Sequence, residues 1–415
     1  MSTFLGMAVR NVARNRRRSL VTLSAVLLGV TAVLVSRGIM DGFMRLMVDD
    51  VVEGRTGALQ IHPSGYMASV EALPLEPSLA YDEALVARLE AVPGVSGVSG
   101  RLTFSGLVSN GVAQTTFVGR GVDPGRETRA VPRFGFEVRA GGRVLAPGDH
   151  AQVLLGSELA RSFRAVPSGQ KTEGLVDRVT LAASSPKGRA NSMDVAVEGL
   201  TESTLPFENK RVVTVPLKLS QELLGMEGRV TELVVAVEDL GELEEVAERL
   251  RAELGPGYEV HTWQELQPFV RDVIRRQRFI LAMISSILFV IILTGIINTM
   301  LMSVFERVRE IGTMLAVGVR RRQVRGLFLW EAAVLGVAGG VGGVALGAAL
   351  VGLLGAWGIP IENVGTGGPI LIRPELDLPF AGVTFAVAVV GAVVAAAWPA
   401  WKASRLNPVD ALRAN

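Results

Sequence analysis

The chain has 415 residues, 49% of them hydrophobic and 20% charged, with a mean hydropathy of +0.38 and a net charge of +2. A soluble protein of this length usually carries more charge, and so small a net charge gives no basis for nucleic acid as a partner. Cysteine is absent, which excludes a disulfide framework, thiol catalysis and Cys-ligated metal. His62, His150 and His261 lie far apart in sequence and show no metal-ligand spacing.

Residues 1–18 predict a short basic amphipathic helix. Phe4, Ala8 and Val12 recur at helical spacing beside Leu5 and Val9, and Arg10, Arg14, Arg17 and Arg18 fill much of the rest. Such a helix suits a membrane surface, the alternative being a solvated basic tail. Residues 19–53 predict TM1 and a stalk. A basic flank before a short apolar run also fits a signal peptide, but no convincing A-x-A site follows. The helical pattern instead continues through Arg37, Ile39, Met40, Phe43, Met44 and Met47 to about Val52. Such a helix would be about 50 Å long against a bilayer core of about 30 Å.

Residues 54–262 alternate strand and helix signals and read as a water-soluble domain. The segment 58–62 predicts a strand, and 101–122 a hairpin in which Asn110-Gly111 supplies the positive φ angles of a tight turn. Residues 230–260 read strand–helix–strand, and 81–98 resembles the second half of that pattern. Two related α+β lobes are therefore expected, with 151–229 a more β-rich subdomain.

Residues 263–304 predict a second stalk and TM2, with Pro268 at its start or at a kink. A polar segment at 305–326, a glycine-rich TM3 at 327–356, a loop at 357–379, TM4 at 380–400 and a tail at 401–415 complete the chain. Arg-rich runs at 10–18 and 319–325, with Lys402, Arg405 and Arg413 in the tail, fall on one side of a four-span arrangement; the 3–4 loop holds only Arg373. Both termini are thus expected in the cytoplasm and the large domain outside. The expected fold class is a membrane protein with four transmembrane α-helices and a large α+β extracytoplasmic domain between TM1 and TM2. A bacterial source is inferred from that architecture.

Catalytic motifs are missing: neither HExxH nor G-x-S-x-G occurs. PSGQKT at 167–172 lacks the glycines of a P-loop, so an ATP-driven activity needs another chain. Arg37 and Asp41, one helical turn apart, either pair at the membrane interface or border a substrate cavity. Asn298 and Glu331 each need a partner within the spans. Gly336/Gly340, Gly339/Gly343 and Gly343/Gly347 permit close helix approach, which is read as packing within the chain rather than a dimer seam. Glu306–Gly318, ERVREIGTMLAVG, joins a charged turn (Glu306, Arg307, Arg309, Glu310) to apolar anchors (Ile311, Met314, Leu315, Val317). A short helix of this kind can dock in a partner's groove; composition equally permits a plain loop.

That segment, followed by F-L-x-E at Phe328–Glu331 and a glycine-rich span, resembles the permease module shared by the MacB, LolC/LolE and FtsX families. The tail PAWKASRLNPVDALR and the opening NVARNRRRSLVTLSAVLLGV are similar to the ends of that module. The resemblance implies an ATP-binding-cassette permease that works by mechanotransmission, paired with a second permease, identical or related, and with two copies of a separate cytoplasmic ATPase. ATP and magnesium would sit on the ATPase, and no cofactor is expected on this chain. Glu306, Arg307, Glu310, Ile311, Gly312, Ala316 and Gly318 are the implied ATPase-coupling residues. MDGF at 40–43, GVDP at 121–124 and VLLGSELARSF at 153–163 look like segments of the lipoprotein-releasing LolC/LolE permeases. The implied activity is extraction of lipoproteins from the outer leaflet of a bacterial inner membrane, with membrane lipids as surroundings and Arg37, Met40, Phe43 and Met44 as a candidate substrate cavity. Ile39, Met40, Phe43, Met44 and Met47 could hold acyl chains or simply pack against the second span. The alternatives are a MacB-like exporter of peptides or antibiotics with a periplasmic adaptor, and an FtsX-like regulator of a cell-wall hydrolase.

Overall fold

A computed structural model describes residues 2–14, 16–134, 138–139, 141–170, 172–203, 206–362 and 369–407. The chain forms two units: Met1–Arg45 with Asp272–Ile361 and Ile370–Asn415, and Leu46–Arg271 with Glu362–Pro369.

From the N-terminus, Ser2–Arg14 forms α1 and Arg16–Val51 forms α2. A π-helical turn, Val52–Thr56, leads into the domain. There β1 is Leu59–Pro63, β2 Leu79–Ala80, α3 Glu83–Glu90 and β3 Val95–Ser109. β4 (Gln114–Val122), α4 (Pro124–Ala130), β5 (Gln152–Gly156) and α5 (Ser157–Phe163) follow. Next come β6 (Arg178–Ser184), β7 (Ala190–Thr201), α6 (Pro206–Arg211), β8 (Val212–Pro216) and α7 (Leu217–Leu224). The domain ends with β9 (Arg229–Val230), β10 (Glu232–Val237), α8 (Leu243–Leu254), β11 (Tyr258–Thr262) and α9 (Trp263–Leu266). Beyond it lie α10 (Pro268–Glu306), α11 (Val308–Ala316) and α12 (Arg321–Trp357). A two-stranded sheet of β12 (Ile359–Glu362) and β13 (Pro369–Ile372) precedes α13 (Leu378–Ser404).

The domain contains two substructures that share β3. In the first, the strand order β11-β1-β10-β3 has antiparallel neighbours throughout, with α3 and α8 as the crossovers. This is the split βαβ arrangement. Leu243, Val246, Ala247, Leu250 and Leu254 recur on one face of α8 and are buried, as an amphipathic helix on a sheet requires. In the second, the order continues β3-β4-β8-β5-β7-β6, and β6 returns to β3 through Leu107↔Ala182, Val108↔Leu181 and Ser109↔Thr180. The ring closes, so these strands leave no open edge. Phe104 lies opposite Gly119 and Phe117 opposite Gly106. Each ring covers its partner glycine, and the two rings meet edge to face at 5.7 Å.

Two sequence expectations change here. The helix–strand repeat does not make two lobes: α3–β3 and α8–β11 belong to one sheet, because each alone would leave its strands without neighbours. The segment 151–229 supplies β5 to β8, the strands that complete the barrel with β3 and β4. The 101–122 hairpin forms, but only Gly111 takes a positive φ, +86°. Asn110 works through its side chain, whose Oδ1 accepts from the Val112 and Ala113 amides.

Among the described residues, four helices are long and apolar enough to cross a membrane: Ser19–Thr56, Pro268–Glu306, Arg321–Trp357 and Leu378–Ser404. The domain lies between the first and second, which is the predicted fold class. Glycines on α12 divide between two neighbours. A Cβ on Gly339, Gly343 or Gly347 would crowd Val26, Val30 or Leu34 of α2; one on Gly336 or Gly340 would crowd Ala392 or Phe385 of α13. The small residues therefore serve packing within this chain, where van der Waals contact rather than water exclusion holds helices together. The Thr31 hydroxyl adds a hydrogen bond to the Gly343 carbonyl at 3.1 Å. α12 starts at Arg321, which draws the basic run expected in the preceding loop into the helix. Lys171 of PSGQKT, residues 363–368 of the 357–379 loop and residues 408–415 of the tail lie outside the described residues.

Candidate functional site

α10 ends where Arg307 leaves helical geometry at φ −106°, ψ 14°. After one short helix, α11, the chain reverses at Gly318, φ +96°. The Gly318 amide donates to the Leu315 carbonyl and the Val319 amide to that of Met314. This pairing is a Schellman closure, which favours glycine at the left-handed position. Ile311 and Gly312 are buried, Ile311 in a cluster with Val304, Val324, Phe328, Ala400 and Ala403. The outward face of the segment carries Glu306, Arg309, Glu310, Thr313, Ala316 and Val317.

Of the predicted coupling residues, Arg307 is set apart from the exposed Glu306, Arg309 and Glu310 of the same charged turn. It is 8% exposed, with its guanidinium 5.8 Å from the Phe328 ring. Its Nε donates to Glu310 Oε2 at 2.8 Å, and its Nη1 to Glu331 Oε2 at 3.4 Å. Glu331 is buried in α12, and a buried carboxylate requires a partner, so the arginine turns inward. Arg14 of α1 then donates to Glu310 Oε1 at 2.6 Å. A chain of charges, Arg14–Glu310–Arg307–Glu331, thus links α1, α11 and α12. The hydrogen bond from Arg307 holds the Glu310 carboxyl below its usual pKa, with Arg14 adding to the effect against a smaller opposing push from burial. The resulting stability is present above the ordinary glutamate value of about 4.3 and is lost as pH falls through the lower folded value.

The predicted cavity residues lie on α2. Arg37 Nε donates to Asp41 Oδ2 at 2.6 Å and approaches Asp377, the N-cap of α13, at 3.9 Å. Its guanidinium also lies 5.0 Å from the Phe380 ring. Arg37 thus makes the ion pair with Asp41 that its spacing suggested. Met40, Phe43 and Met44 are half-buried. Asn298 is exposed on α10.

The histidines are closer than the sequence suggested. His62 and His261 face each other across β1 and β11 at 5.7 Å, and His62 stacks on Tyr66 at 4.9 Å. His62 Nε2 lies 3.5 Å from Glu232. Burial raises the Glu232 pKa, but hydrogen bonding to His62 and the charge of Arg101 outweigh it and leave the value lowered. Among the described residues no group of three or more His, Cys, Asp or Glu could hold a metal ion.

Sequence reasoning missed two further charged sets. In the domain, Arg101 donates to Glu127 at 2.6 Å and to the Arg55 carbonyl. Arg55 pairs with Asp50 at 2.7 Å, and Arg120 with Glu208 at 3.5 Å. These residues are scattered over 50–208 with no local motif to find. On α10, Arg275, Arg276 and Arg278 are exposed immediately before an apolar run. There the clustering of basic residues beside a span was a readable signal.

Four spans, a soluble domain after the first and a charged short helix after the second define a multi-span membrane permease. Residues 19–253 match the MacB-like periplasmic core domain, and residues 282–408 the FtsX-like permease C-terminal. The macrolide export ATP-binding/permease protein MacB of Nitrobacter winogradskyi is 32% identical over 237 residues, covering 54% of this chain and 34% of the relative. MacB of Bordetella avium is 24% identical, over 99% of this chain and 60% of the relative. The lipoprotein-releasing system transmembrane protein LolC of Xylella fastidiosa is 22% identical, over 100% of this chain and 98% of the relative. The chain thus spans 34% to 60% of the length of these MacB relatives. It belongs to the MacB/LolC/FtsX superfamily of ABC-transporter permeases, whose members work with ATPase partners.

Proposed function

We propose that this chain is the permease subunit of an ATP-driven transporter that passes force, rather than substrate, through its spans. The observation that carries this reading is the charge chain Arg14–Glu310–Arg307–Glu331. It ties the short helix α11 to α12 and to α1, so a push on α11 reaches the bundle without a slack joint. Glu306, Arg309, Ala316 and Val317 are left outward as the face for a cytoplasmic ATPase. The 415 residues hold no P-loop, so nucleotide chemistry is assigned to that partner, in two copies, with a second permease completing the assembly. In this reading α1 and α11 are cytoplasmic and the domain is periplasmic, in a bacterial inner membrane. Glu310→Lys places a third cation beside Arg14 and Arg307. We expect it to leave membrane insertion and ATP hydrolysis intact while abolishing coupled transport; transport at the wild-type rate would refute the assignment.

For the substrate, we propose lipidated proteins drawn from the outer leaflet of the inner membrane. The full-length likeness to LolC supports this, as does the flexible apolar set Met40, Phe43 and Met44, whose side chains can adapt to acyl chains. A second reading, export of peptides or antibiotics with a periplasmic adaptor, is favoured by the relatives named for macrolide export. Photocrosslinkers at Met40 and Met44 separate the two. Capture of a lipoprotein is the expected result, and capture of soluble peptide alone would move the assignment to export.

A further inference from the structure

The basic stretch on α10 has no role in the coupling chain. Arg275, Arg276 and Arg278 are exposed, and none makes an ion pair or hydrogen bond among the described residues. Elsewhere in the same unit, two arginines of α2 are matched: Arg37 with Asp41 and Arg45 with Glu375, each at 2.6 Å. Basic residues close to a span on its outer side also act against the charge bias that orients the protein. Three unmatched guanidiniums there call for a counter-charge from outside the chain.

Their depth indicates its source. Arg278 and Glu306 are 28 residues apart on one helix (306 − 278), which is about 42 Å at 1.5 Å per residue. A bilayer measured through both headgroup layers is about 40–45 Å thick. With Glu306 at one surface, Arg275 to Arg278 therefore sit among the headgroups of the opposite leaflet. At roughly 100° per residue the three span an arc of about 160°. Phe279, 71% exposed, falls inside that arc and opens the apolar run. The surface is thus a fan of guanidiniums above an exposed aromatic ring. Each guanidinium offers a planar fork that matches two phosphate oxygens.

We propose that Arg275, Arg276 and Arg278 form a phosphate-binding collar for anionic phospholipid headgroups in the leaflet on the domain side. The collar fixes the depth of α10 in the bilayer, so that displacement at α11 is not lost as the helix sliding along its axis. It rests on the four-span topology and is independent of what the transporter carries.

The test uses the full chain in nanodiscs containing a photoactivatable phosphatidylglycerol diluted in phosphatidylcholine. In the wild type, cross-links are expected to map to 269–283. In Arg275→Gln/Arg276→Gln/Arg278→Gln they should fall by roughly fivefold for each arginine removed, the usual strength of one basic residue at an anionic surface. A triple Lys variant should retain much of the signal, and the single Arg276→Gln variant gives the same reading should the triple variant not fold. Unchanged labelling in the Gln variants overturns the proposal. So does labelling abolished by millimolar inorganic phosphate, which identifies a free-ion site, or protection of the segment by a second copy of the chain.

Discussion

Arg307→Ala is expected to destabilise the membrane unit by about 3–5 kcal/mol, the usual result of removing one member of a buried ion pair. The cost arises from what remains. Glu331 is 4% exposed and has Arg307 as its cationic neighbour at 3.4 Å. With the guanidinium gone, a carboxylate stays in an apolar cluster and must either ionise alone or take up a proton. Glu310→Gln touches the same chain but costs less than about 1 kcal/mol, because Glu310 and Arg14 are exposed and solvent screens them. Thermal unfolding of the detergent-solubilised protein provides the comparison. The double variant Arg307→Met/Glu331→Met should recover much of the loss, since it removes both charges together. If Arg307→Ala melts with the wild type, the buried pair is not what fastens α11 to α12.

Glu127→Ala should cost the domain a similar amount, about 3–5 kcal/mol. Glu127 is fully buried, and Arg101 is 2% exposed. Glu127 accepts from Ser99 Oγ at 2.6 Å as well as from Arg101, so its loss frees a buried hydroxyl and a buried cation at once. The damage extends to the Arg55 carbonyl, which Arg101 also holds, and so to the turn that joins α2 to β1. Urea titration of the full chain, followed by tryptophan fluorescence of Trp263 against a variant with the other tryptophans replaced, reports on the domain. An unchanged midpoint would mean that Arg101 finds another acceptor.

The spans were legible because the signal is local: an unbroken run of about twenty apolar residues suits little besides a bilayer. α8 was legible for the same reason, through its buried stripe. The double role of β3 was not, since a strand shared by a split βαβ sheet and a closed barrel shows the same alternation as any other strand. The segment Glu306–Gly318 stood out by its residue order, but the direction of Arg307 depends on Glu331, 24 positions later, on a helix whose packing no local pattern states. The same holds for Arg101 and Glu127. The α10 arginines were visible throughout, and became informative only once their depth along one unbroken helix could be measured.

The pairing of β1 sets a condition on how the protein is made. This strand has β10 and β11 as its only ladder neighbours among the described residues, and Leu59 meets Val235 and Thr262. The nearer partner lies 176 residues downstream (235 − 59). At translation rates of about 5–20 residues per second, β1 therefore waits on the order of ten seconds or longer for a neighbour. During that interval α2 is already available for the bilayer and β3 to β8 can close their ring, while β1 keeps both edges bare. The split βαβ sheet can thus form only after all the strands that close the barrel, β3 to β8, have been made.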